Sequence, residues 1–77
     1  MKTYQNRTGK SGIVAYDYDD TSIRVQFHDG KTYEYSIARI GASNLAMLKR
    51  CADAGEGLNA AINKNPTIKN GFSRRFA

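Results

Sequence analysis

The residues of this chain that could make or break bonds are few: one histidine, one cysteine and a run of acids. Nucleophilic catalysis needs a thiol or hydroxyl within reach of a base. His28 sits in Phe27-His28-Asp29-Gly30, where Asp-Gly between alternating runs marks a hairpin turn, and reads as a solvent-facing loop residue. Cys51 falls on an apolar helical stripe with Leu48 and Ala52 and reads as a small core residue. Sequence distance alone does not exclude a Cys/His pair, because such pairs meet only in the fold. Asp17, Asp19 and Asp20 in DYDD lack the glycine and glutamate offsets of a calcium loop, so a solvated acidic turn is expected. Gly55-Glu56-Gly57 lacks the strand-then-helix context of a dinucleotide site and reads as a helix break. No metal-ligand spacing occurs. A chain without catalytic residues, metal or cofactor is expected.

Binding chemistry is better represented. Tyr33 and Tyr35 alternate along one strand face, the spacing at which RNA-reading sheets stack bases on aromatic rings. The charge is also asymmetric. The net charge is +5, with six basic against five acidic residues in 1–40 and six against two in 41–77. From Lys64 onward there are Lys64, Lys69, Arg74 and Arg75 and no acid. Such a segment favours anionic partners, and it also serves solubility.

These residues are positioned by a small α+β fold. Strands are expected at 12–18, 22–28 and 31–36, where β-branched and aromatic residues run in alternation between turns. The clearest is Ile23, Val25 and Phe27 against Arg24, Gln26 and His28. A two-residue Asp29-Gly30 loop would turn the tyrosines away from the Ile/Val/Phe face. A three-residue loop, His28-Asp29-Gly30, pairs Phe27 with Lys31, Val25 with Tyr33 and Ile23 with Tyr35, and brings all the large side chains to one face. Because a one-residue slip flips every side chain, the hydrophobic pattern selects the three-residue loop. Phe27, Tyr33 and Tyr35 are then core aromatics, with phenolic oxygens at the rim.

Helical segments are expected at 43–54 and 57–64. Leu45, Leu48 and Ala52 form the first stripe, flanked by Met47 and Cys51, with Lys49, Arg50 and Asp53 on the wet side. Ser43 or Asn44 would cap the start and Gly55 the end. Pro66 stops the second segment. Residues 1–10 read as a flexible or short-strand lead-in and 66–77 as a basic tail, which Ile68, Phe72 and Phe76 could tack onto the body. A sheet with one apolar face must bury it, and the helical segment is the cover available.

Seventy-seven residues bound the chain to one domain, 1–77, near the lower end of what folds unaided. The longest apolar runs, Ile13–Tyr16 and Leu45–Leu48, span four residues, so no membrane partner is expected. One cysteine leaves no internal disulfide, which favours a cytoplasmic home.

Taken in order, SGIVAYDYD, IRVQF, DGKTYEY and CADAGEGLNAAI, with Gly55, Gly57, Leu58, Asn59 and Ile62, resemble the KTSC domain. This is a small bacterial and phage module also found at the C-terminus of some lysyl-tRNA synthetases. The resemblance covers roughly Ser11 to Phe72. SIARIGA replaces the family's proline-containing turn after YxY, and Leu58-Asn59 replaces its usual aromatic pair, which marks a divergent member. The resemblance implies an association with RNA, tRNA or another structured RNA, and no defined activity. The expectation is a non-enzymatic RNA-binding module. Lys64, Lys69, Arg74 and Arg75 would contact phosphates, and Lys49 and Arg50 would extend the surface. The alternative is a protein-interaction module, working by sheet-edge pairing or homodimerisation.

Overall fold

The computed structural model describes residues 1–7, 9 and 11–76. It is an α+β fold with a five-stranded antiparallel sheet in the order β1-β2-β3-β4-β5. The three strands read from the alternation are β2 (Ile13–Tyr18), β3 (Ser22–Phe27) and β4 (Thr32–Ser36). The expected count of three is corrected by two short outer strands, β1 (Lys2–Thr3) and β5 (Arg74–Phe76). Neither is long enough to show a period, so each is defined by its partner rather than by its own sequence.

The hairpin takes the three-residue loop. Val25 pairs with Tyr33 and Ile23 with Tyr35. The Phe27 N–H donates to the Lys31 carbonyl at 2.8 Å, and the Gly30 N–H to the Phe27 carbonyl at 2.9 Å. Gly30 has φ +90°, a conformation glycine adopts without a Cβ clash. The Asp29 carboxylate accepts the Lys31 N–H at 2.9 Å and holds the turn.

Helix α1 (Ile37–Ile40) lies within SIARIGA, outside the helical segments expected from the sequence, and α2 (Ala42–Ala54) follows directly. The cap of α2 is Gly41 with no side-chain bond, not Ser43 or Asn44. Asn44 instead donates to the Ile40 carbonyl at 2.8 Å, binding the two helices together. Leu45, Leu48 and Ala52 are buried, as their helical spacing requires. They meet Ile13, Ile23 and Val25 from the sheet. Burying each large aliphatic side chain is worth about 2 kcal/mol, which is what holds helices and sheet together.

Gly55 and Gly57 both have positive φ, +76° and +82°, and divide α2 from α3 (Leu58–Lys64). The N-terminal segment uses this break: the Arg7 N–H donates to the Gly55 carbonyl at 2.7 Å, and the Tyr4 hydroxyl accepts the Leu58 N–H at 3.4 Å. After Lys64 the chain is extended at Asn65. Pro66 then opens a one-turn helix, α4 (Pro66–Lys69), where its fixed φ is favourable, and the Asn65 side chain accepts the Thr67 N–H at 3.0 Å. Ile68 is fully buried and Phe72 packs on the core, while Phe76 is 43% exposed and does not. Ser73 ties this segment to β4, its N–H donating to the Glu34 carbonyl at 2.7 Å. Among the described residues no helix is long and apolar enough to cross a membrane.

Candidate nucleic-acid interface

Cross-strand partners share a face, so the register sorts side chains into two layers. The face away from the core carries Asp17, Arg24, Glu34 and Arg74 as successive partners across four strands, an alternating row of charge. Arg24 Nη1 is 3.0 Å from Glu34, Nη2 is 3.5 Å from Asp19, and Nε contacts Asp17. These charges answer one another, so this face is not a cationic surface. Asp19 is held down to about 2 by N–H and hydroxyl donors from Thr21 and Ser22, which accounts for the acidic turn without a cation.

The helix-covered face is different at its hairpin end. There a cavity of about 320 Å³ opens between the hairpin, α3 and the α4–β5 segment. Its aromatic lining is Phe27, Tyr33 and Phe72, with Tyr35 and Ile62 beside them. Tyr33 stands edge-to-face to both neighbours, with ring centroids 5.6 Å from Phe27 and 5.1 Å from Phe72. Edge-to-face packing suits the ring quadrupoles and leaves Tyr33 locked between two rings. The polar lining is Asp29, Asn63, Lys69 and Asn70.

Each wall has a local cause. The three-residue loop directs Phe27 and Tyr33 to the core face and sets Asp29 at the turn. The Pro66 break folds α4 back, so that Ile62 and Asn63 of α3 face Lys69 and Asn70. Pairing of β5 with β4 carries Phe72 to Tyr33. Tyr35 is only 2% exposed, no described residue is a hydrogen-bond partner of its hydroxyl, and among the described residues no buried polar side-chain atom lacks a partner, so the hydroxyl is the part that reaches the cavity. Burial, with a smaller contribution from Tyr33, raises its pKa to about 12. It is therefore a neutral hydroxyl, able to donate, at any physiological pH.

The sequence-derived cations divide between regions. Lys69 lines the cavity, and Lys64 follows the lining residue Asn63 at the end of α3. Arg75 is paired with Tyr33 and so belongs to the same face, whereas Arg74 is paired with Glu34 on the opposite one. Lys49, on α2, stands 5.1 Å from the Tyr18 ring, and Arg50 is exposed on the same helix. Of the three core aromatics, Tyr35 is buried, while Phe27 and Tyr33 are half-buried and open onto the cavity.

Asn63, Asn70, Asp29 and Phe72 were not among the residues singled out as contacts. Asp29 and Phe72 had a signal, as the turn residue beside the tyrosine strand and as the aromatic in the basic tail. The two asparagines had none, since their place depends on how α4 folds back. His28 is exposed in the hairpin turn, against Gly12, and Cys51 is half-buried beside Gly57. Among the described residues no cluster of His, Cys, Asp or Glu could hold a metal ion.

Comparison with family models, curated proteins and solved structures finds no match for this chain.

Proposed function

We propose that this protein is a non-enzymatic RNA-binding module whose open aromatic cavity takes an unpaired base. The observation that carries this reading is the juxtaposition of Phe27, Tyr33 and Phe72 with Lys69 in one cavity. Ring stacking on a base contributes about 1–3 kcal/mol and tolerates sequence, while cations nearby track the phosphates. Lys64, Lys69 and Arg75 are the phosphate contacts of this reading; Lys49, against the Tyr18 ring, and Arg50 lie on α2, which does not line the cavity, and are not part of it. Unpaired bases are reached in loops and single strands, so a structured RNA with exposed loops, such as a tRNA, is the favoured partner. The resemblance to the KTSC domain points the same way.

Edge pairing has less support. The outer strands have two and three residues and carry Lys2, Arg74 and Arg75, the short charged edges that discourage strand addition.

The test is fluorescence anisotropy of a labelled tRNA and of a blunt RNA duplex, titrated at about 50 and about 200 mM salt. Saturable binding of the tRNA that weakens with salt, and falls further in Tyr33→Ala than in Arg74→Ala, is the expected result. Equal loss in the two variants, or no binding at the lower salt, overturns the reading.

A further inference from the structure

We propose that the aromatic cavity is a slot for guanine. This rests on the RNA reading above and adds to it the identity of the base. At about 320 Å³ the cavity lies at the small end of ligand pockets, the size for one nucleoside rather than a large metabolite. Phe27, Tyr33 and Phe72 supply apolar walls for a planar ring. The polar groups then decide which ring.

Tyr35 lines the cavity with its ring buried, and because no buried side-chain polar atom lacks a partner among the described residues, its hydroxyl is the part that reaches the open space. A hydroxyl that reaches the cavity is free to donate to an acceptor on the occupant. Guanine presents two acceptors, O6 and N7.

Asp29 is the one carboxylate on the lining. An ionised carboxylate only accepts hydrogen bonds and repels phosphate, so it faces a donor-bearing edge of the base and not the backbone. Its Oδ1 accepts the Lys31 N–H at 2.9 Å, which fixes this exposed side chain at the cavity mouth. Guanine alone among the four bases has two adjacent donors, N1–H and the N2 amino group, on its pairing edge. Adenine and cytosine set a ring-nitrogen acceptor beside their single amino group. Uracil sets a carbonyl on either side of its N–H. Each would bring a lone pair against Asp29. Lys69, also on the lining, is the group for the nucleotide's phosphate.

The experiment uses single-stranded RNAs identical except for one central guanosine, inosine or adenosine. Inosine is guanosine without the N2 amino group, so it removes one donor and nothing else. The expected order is guanosine first, with inosine weaker by about tenfold, the scale of one two-donor contact. Asp29→Asn retains an oxygen for the Lys31 N–H, so the turn stays intact, and a thermal melt checks this. In that variant the preference for guanosine over inosine should collapse. Its affinity for the adenosine RNA should hold or rise, because a negative charge has been removed. RNA binding that is indifferent to the central base, or a guanosine preference that survives Asp29→Asn, overturns the guanine slot and leaves the RNA reading standing. No binding of any of the three RNAs overturns both.

Discussion

Two aromatic clusters occupy the same face of the sheet, one on its β1–β2 side and one on its β4–β5 side, and they spend their side chains differently. On the β1–β2 side, Tyr4 stands edge-to-face to Tyr16 at 6.4 Å, and Tyr16 stacks on Tyr18 at 6.2 Å. Every hydroxyl there is engaged. Tyr16 donates to Asp53 Oδ1 at 2.8 Å, Tyr18 donates to Oδ2 at 2.7 Å, and Tyr4 accepts the Leu58 N–H. Lys2 and Lys49 lie 5.8 and 5.1 Å from the Tyr18 ring. The cleft left beside them is about 80 Å³. On the β4–β5 side the rings of Phe27, Tyr33 and Phe72 surround a space four times as large, and no described residue is a partner for the Tyr33 or Tyr35 hydroxyl. Similar residues thus form a closed joint on one side of the sheet and line an open cavity on the other. The difference is one carboxylate: Asp53 closes the first cluster on to α2, and nothing equivalent closes the second.

Alanine at one ring of each cluster gives the largest contrast. Tyr16→Ala removes a buried ring and its bond to Asp53 and should cost about 3 kcal/mol of stability by urea denaturation, leaving RNA affinity of the folded fraction unchanged. Tyr33→Ala, at a half-buried site, should cost about 1 kcal/mol of stability yet weaken RNA binding at least about tenfold, the scale of one lost stacking contact. If both variants lose stability and binding in the same proportion, the two clusters do not differ in kind.

Asp53→Ala tests the closing carboxylate directly. It strips a partner from two hydroxyls, one on a buried residue, and should lower stability measurably by urea denaturation, less than Tyr16→Ala does and again without affecting RNA binding. A variant as stable as the parent would show that ring packing alone seals that side.

Acid should act on the same joint. Donation first from Tyr18 and then from Tyr16 lowers the Asp53 pKa below the ordinary carboxylate range, and turn donors take Asp19 to about 2. A carboxyl whose folded pKa is depressed stabilises above its unfolded value, and that contribution is lost as protons bind the folded state. Stability by urea denaturation should therefore fall as pH drops from about 4 toward 2, and less steeply in Asp53→Asn. At the alkaline side, burial followed by the Asp53 bond raises Tyr16 to about 12. A raised folded pKa stabilises below the unfolded value, so stability should decline between pH of about 10 and 12. Tyr16→Phe should remove the part of that decline due to this hydroxyl.

The smallest effect concerns the tail cations. Lys69→Ala and Arg75→Ala should each lower the salt slope of RNA binding by about one, and Arg74→Ala, paired across to Glu34, by less. Equal slopes for the two arginine variants would mean that strand register does not sort the tail.

Much of this fold is legible in the chain. Ile23, Val25 and Phe27 against Tyr33 and Tyr35 admit only one loop length that puts all five on one face, and the structure has that loop. Leu45, Leu48 and Ala52 specify their helix because burial rewards a continuous stripe. Local period and turn chemistry determine these elements, since each acts over a few residues. Other features have no local signature. The Arg74–Phe76 strand exists because β4 offers a free edge, and the cap at Gly41 because Asn44 is drawn away to Ile40. The cavity needs a hairpin, a proline-broken helix pair and a returning strand to meet, and contacts that distant in sequence are set by tertiary packing alone. Sequence by itself therefore determined which side chains share the apolar face of the hairpin. Only the tertiary structure decided that one group of aromatics is closed by Asp53 and the other left open beside Lys69, because closure depends on which distant polar group arrives at each side of the sheet.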